Sequence, residues 1–95
     1  MRPSRRVPTH PGEILLEEFL QPMGLSRSRL ADHLGLPASR ISEVVRGRRS
    51  ITPDTAWMLA QALGTTPEFW MELQLAHDVV SHRPTRRITR LRKVS

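Results

Sequence analysis

Arginine is the side chain in this sequence best equipped for directed chemistry. Six of the 15 Lys and Arg residues in the 95-residue chain, Arg27, Arg29, Arg40, Arg46, Arg48 and Arg49, fall between positions 27 and 49. A guanidinium presents a fixed fan of N–H donors that suits phosphate oxygens or the edge of a guanine. Ser39, Ser42 and Glu43 stand among these cations. A serine hydroxyl meets donors and acceptors alike, and a carboxylate accepts from the amino group of cytosine. All nine acids lie between positions 13 and 78, so residues 7–82 hold six cations against nine acids, a balance of −3, although the whole chain carries +6. The internal arginines are therefore a basic patch on an acidic body.

Other chemistries find little to work with. His10, His33, His77 and His82 show no i, i+4 pairing of the kind a helical metal site needs, and no nucleophile stands with a base in any recognisable pattern. Glu13 and Glu17 share one helix face, which near a helix start reads as a solvated, dipole-favoured surface. No enzymatic activity, metal or cofactor is expected. With no cysteine, a disulfide framework and a thiolate metal site are excluded. The length suits one small domain, no apolar run approaches the roughly 18 residues needed to cross a bilayer, and residues 1–12 lack the apolar stretch of a signal peptide. The expectation is a cytoplasmic protein with no membrane contact.

The patterning predicts five helices and no strands. Leu16, Phe19, Leu20 and Met23 give a first helix over about 13–21, with Pro22 closing it. A second covers about 27–34 with Ser26 as N-cap, burying Leu30, Ala31 and Leu34, and a third covers about 38–46, burying Ile41, Val44 and Val45. Thr52-Pro53-Asp54 and Thr66-Pro67-Glu68 each combine a hydroxyl cap, a proline at the first helical position and an acid at the positive dipole end, so they open a fourth and a fifth helix. Gly24, Gly35, Gly47 and Gly64 follow helical segments, where a left-handed residue ends a helix. The fifth helix, to about Val80, is apolar around most of its circumference. That predicts cover on a second side by another copy of the chain, with Phe69, Trp70, Leu73 and His77 at the interface, as against a central helix wrapped by the other four. The domain spans 11–82, between a flexible basic arm at 1–10 and a basic tail at 83–95.

Two short helices around a glycine turn, the second carrying small polar side chains and followed by cations, meet the requirements of a helix-turn-helix DNA-binding unit. Ala38, Ser39, Arg40, Ser42, Glu43 and Arg46 are the candidate base contacts on the outer side of the third helix. Ser26, Arg27, Arg48 and Arg49 are the candidate phosphate contacts.

The segments HPGEILLEEFL, LSRSRLADHLGLPASRISEVVRGRRSIT and DTAWMLAQALGTTPEFWMELQ, within residues 10–78, together resemble the HigA-type antitoxins of the phage-repressor-like helix-turn-helix superfamily. The resemblance implies an all-α, five-helix domain like that of lambda repressor, with flexible basic termini. It implies a homodimer that binds double-stranded operator DNA through the third helix, represses its own operon and neutralises a HigB/RelE-like toxin that cleaves mRNA, while the helix beginning at TTPEFW contributes to pairing. Given such a basic partner, Glu13, Glu17 and Glu18 on the first helix are the expected toxin contacts. A stand-alone repressor with no toxin partner is the alternative. Pro37-Ala38 departs from the serine cap common in relatives, so the start of the third helix is expected to be less well capped. The arginine-rich tail from Arg83 is also less typical, and no family role is carried onto it.

Overall fold

A computed structural model of the chain describes residues 7–93. Arg2, Arg5 and Arg6 of the expected arm lie outside the described residues. The described residues form five helices and no strands. Helix α1 covers 11–23 as three continuous segments, α-helical Pro11–Ile14, π-helical Leu15–Leu20 and α-helical Gln21–Met23. It is followed by α2 (Arg27–Leu34), α3 (Ala38–Val45), α4 (Pro53–Leu63) and α5 (Pro67–Ser81).

The local signals account for most helix ends. Backbone N–H groups of the first turn have no partner inside a helix, and side-chain oxygens at the caps accept from them. Ser26 Oγ accepts from the Arg29 N–H at 3.0 Å, Thr52 Oγ1 from the Thr55 N–H at 3.4 Å, and Thr66 Oγ1 from the Phe69 N–H at 3.1 Å. Helix α3 has Pro37 at its N-cap position and so no side-chain cap.

Helix α1 departs from the expectation at both ends. It begins two residues before Glu13, because His10 serves as its cap, with Nδ1 accepting from the Gly12 N–H at 2.9 Å. It does not stop at Pro22. Proline within a helix removes one N–H and presses on the carbonyl four residues back. Here the preceding segment has already widened to i→i−5 bonding, the Gln21 N–H reaching the Leu16 carbonyl, and the helix ends instead at Gly24 with φ of 62°. The wider turn also shifts the apolar register. Leu15 and Leu20 are buried, Leu16 and Phe19 are half-buried, and Met23, expected inside, is exposed.

Leu15, Leu20, Leu30, Ala31, Ile41, Val44, Ile51, Ala56, Leu59 and Trp70 form the core. The assignment of Trp70 to an interface between copies is corrected by its burial. Its side chain has 0% exposure within its own chain, its indole N–H donates to Thr65 Oγ1 at 2.7 Å, and Phe19 and Phe69 pack on it at 5.4 and 5.0 Å between ring centroids. A residue with no free surface has none to offer a partner. Helix α5 is thus a core helix on its Trp70 and Gln74 side, while Leu75 and Val79 point to solvent. Among the described residues no helix is long and apolar enough to cross a membrane.

Candidate nucleic-acid interface

The turn between α2 and α3 closes through backbone bonds, the Gly35 N–H to the Asp32 carbonyl at 3.1 Å and the Leu36 N–H to the Ala31 carbonyl at 2.9 Å, with Gly35 at φ of 72°. Only a residue free of Cβ strain adopts that conformation cheaply. Ala31 is buried at the crossing, and Ile41 and Val44 hold the inner side of α3. The inner side of the unit is fixed by these contacts, which leaves its outer side free.

On that outer side Ala38 and Ser39 are exposed, Arg40, Ser42 and Glu43 are half-buried, and Arg46 is exposed just past the helix end. The chain then reverses at Gly47, the Arg48 N–H donating to the Glu43 carbonyl at 2.8 Å, and presents Arg48 and Arg49 to solvent. Across the α2 start, Ser26 is exposed and Arg27 half-buried. The capping role of the Ser26 oxygen leaves its hydroxyl proton free to be donated. One pair of assignments collides: Arg49 donates through Nε to Glu43 Oε1 at 2.8 Å and pairs with the same oxygen through Nη2 at 2.8 Å. The sequence assigns these two residues different ligands, whereas here they pair with each other. With side chains 47% and 41% exposed, such a pair contributes about 0–1 kcal/mol, so a phosphate or base can open it.

Two supports behind α3 have almost no signature in the sequence. Gly12, in the first turn of α1, lies so near the end of α3 that an added Cβ would fall 2.6 Å from the Val44 carbonyl carbon and 3.0 Å from Val45 Cα. A glycine inside a helix is the only local signal for such an approach. The loop leaving α3 is tied to α5 by Gln74, 4% exposed, whose Oε1 accepts from the buried Ile51 N–H at 2.7 Å and whose Nε2 donates to Asp78 Oδ1 at 2.9 Å. No spacing rule links positions 51 and 74.

A third cluster joins the chain's early residues to α5. His77, expected at a dimer contact, is half-buried and donates from Nδ1 to the Pro8 carbonyl at 2.7 Å. Its ring meets that of His10 edge to face at 5.0 Å, and a side chain added at Gly47 would touch His10 at 3.7 Å. Burial, and after it the charge of His77, lowers the His10 pKa below the ordinary 6.5, with Asp78 pulling the other way. Of the remaining interface candidates, Leu73 is half-buried against the core and Phe69 is 36% exposed. Glu13, Glu17 and Glu18 are placed on α1, Glu13, Glu17 and Glu18 alike being exposed.

Two packed helices with a polar outer helix and a cation-rich exit define the helix-turn-helix class of DNA-binding regulators. Residues 16–70 match the family described as Helix-turn-helix. Virulence-associated protein I of Dichelobacter nodosus is 50% identical over 70 residues, a match covering 74% of this chain and 65% of that protein, a little under two thirds of its length. Antitoxin HigA-1 of Vibrio cholerae is 42% identical over 79 residues, covering 83% of this chain and 74% of that one. The structure of Pseudomonas aeruginosa antitoxin HigA with the higBA promoter superposes with a TM-score of 0.77 at 37% identity, covering 79% of this chain and 82% of that one. The chain belongs to the helix-turn-helix family, in the group of the HigA-type antitoxins.

Proposed function

We propose that two copies of this chain bind a palindromic operator through α3, repress transcription of their own operon, and hold a basic, RNA-cleaving toxin of the HigB/RelE-like kind inactive. The observation that carries the DNA half is the exposed pair Ala38 and Ser39, followed by Arg40, on a helix whose exit carries Arg46, Arg48 and Arg49. Support comes from the Pseudomonas relative, whose structure holds its promoter. Ala38, Ser39, Arg40, Ser42, Glu43 and Arg46 face the base edges in this reading, with small residues at the helix start admitting it to the major groove. Ser26, Arg27, Arg48 and Arg49 take phosphates.

A single recognition helix meets too few base pairs for a useful specificity ratio, which is the physical reason for pairing. The exposed side of α5, with Leu75 and Val79 each 62% exposed and Phe69 at its edge, is the face we assign to the second copy. The toxin half rests on family membership and on the open acids Glu13, Glu17 and Glu18, which complement a cationic nuclease surface. Co-purification with the product of the adjacent reading frame is its measurement.

The DNA reading is tested by titrating the region upstream of the gene and a scrambled duplex of the same length. Half-sites about 34 Å apart are expected. Arg40→Ala should relax preference at one position by about 1–3 kcal/mol. Arg48→Ala should weaken every duplex alike and reduce the salt slope by about 0.9. Equal affinity of the unaltered chain for both duplexes would sink the reading.

A further inference from the structure

Beyond α5 the chain runs from Arg83 to Lys93 without helix or strand and exposed throughout, carrying Arg83, Arg86, Arg87, Arg90, Arg92 and Lys93 and no acid. Among the described residues Arg49–Glu43 is the sole ion pair, so none of these six cations is neutralised by a described acid. Ile88 and Leu91 are 78% and 93% exposed, too little apolar surface for the segment to build a core of its own. Six unpaired charges held close together repel one another, and a polyanion relieves that repulsion.

The root of this tail has a definite place. Ser81 ends α5, and one turn before it His77 is bound to Pro8 and packed on His10, which in turn lies against Gly47. Gly47 sits between Arg46 and the pair Arg48 and Arg49. Arg83 is two residues past the end of α5 and six beyond His77, so the tail leaves from the helix whose His77 is joined through His10 to the cationic end of α3. Fully extended, residues 83–93 reach at most about 36 Å, close to one turn of duplex DNA at about 34 Å. A segment of that reach, rooted on the helix that His10 joins to the end of α3, is long enough to follow the phosphates of a duplex held at α3.

We propose that residues 83–93 are a second DNA-binding element, which lies along the phosphate backbone beside the α3 site and raises affinity without reading sequence. This rests on the DNA-binding reading above. The test is the full chain with all six tail cations replaced by glutamine, compared with the unaltered chain on the upstream duplex and its scrambled counterpart over a range of salt concentrations. The expected result is at least a tenfold loss of affinity at low salt on both duplexes, with their ratio kept, and a salt slope shallower by about 0.9 for each phosphate no longer neutralised. An unchanged slope overturns the proposal. A second variant, Ile88→Ser with Leu91→Ser, is expected to bind DNA as the unaltered chain does. If it loses binding while the glutamine variant keeps it, the tail docks on protein and the proposal falls. The two readings separate cleanly: a chain that does not prefer its upstream duplex but still loses salt slope on charge removal would refute base recognition and retain the tail.

Discussion

Gly12→Ala is expected to unseat α3 and lower the thermal midpoint by on the order of 15 °C, the shift that about 3 kcal/mol produces in a domain of this size. The methyl group would arrive 2.6 Å from the Val44 carbonyl carbon, and closer still to its oxygen, with Val45 Cα at 3.0 Å on the other side. Every atom it meets is backbone, so no rotamer change relieves the overlap. Helices α1 and α3 would have to separate, and the packing of Leu15, Ile41 and Val44, none more than 1% exposed, would loosen as one unit. Overpacking of this kind costs typically about 1–3 kcal/mol and more where nothing yields. Binding to the upstream duplex should weaken more than stability alone requires, since the displaced element is the proposed reading helix. A variant that melts with the unaltered chain would show that the two backbones do not approach this closely in solution.

Trp70→Ala should be the most destabilising single truncation, by about 3–5 kcal/mol. Against a total of about 5–15 kcal/mol typical of such domains, that removes between about a fifth and all of the stability. The indole fills the centre of the packing between α1 and α5, with Phe19 and Phe69 against it and a bond from its N–H to Thr65. Trp70→Phe keeps most of that volume and removes only the bond, so it should cost far less. Denaturant titration of the three proteins checks the order. A surface role would give a different pattern, in which sedimentation changed with protein concentration while the unfolding midpoint stayed in place.

The elements that the sequence makes legible are those written in local chemistry. Ser26, Thr52 and Thr66 cap their helices as their types predict, and the glycines after α1, α2 and α4 adopt the left-handed conformation that ends a helix. The inner faces of α2, α3 and α4 follow the 3.6-residue period. Helix α1 resists because its cap is a histidine, an uncommon choice, and because the π-helical segment breaks the period that sets the expected register of Leu15 to Met23. Helix α5 resists for a different reason. Periodicity shows how much of a helix is apolar but not which apolar side meets its own chain, and Trp70 and Leu75 look alike to it. In the candidate site Ala38, Ser39 and Arg46 are exposed and Arg40, Ser42 and Glu43 half-buried, while Ile41 and Val44 are buried. The Glu43–Arg49 pair, the Gln74 bond to Ile51 and the meeting of His10 with His77 depend on chain reversals that no local spacing encodes.

A helix capped by an imidazole answers to protons in a way that one capped by a hydroxyl does not. His10 Nδ1 accepts the Gly12 N–H only while its lone pair is free. Protonation would turn that acceptor into a donor and set a cation against the positive end of the α1 dipole, next to His77, with Asp78 the acid pulling the other way. Because the folded pKa is lowered from 6.5, the unfolded chain takes the proton more readily. The contribution of this cap is therefore complete above about pH 6.5 and is lost as the solution is acidified toward the folded value. His10→Ser keeps an accepting oxygen without the titration, and its melting temperature should fall less between about pH 7 and about pH 5 than that of the unaltered chain. Parallel curves would remove His10 as the cause. Since the same ring lies against Gly47 and meets that of His77, acidification should loosen the corner where the end of α3, the early chain and α5 meet, ahead of the rest of the domain.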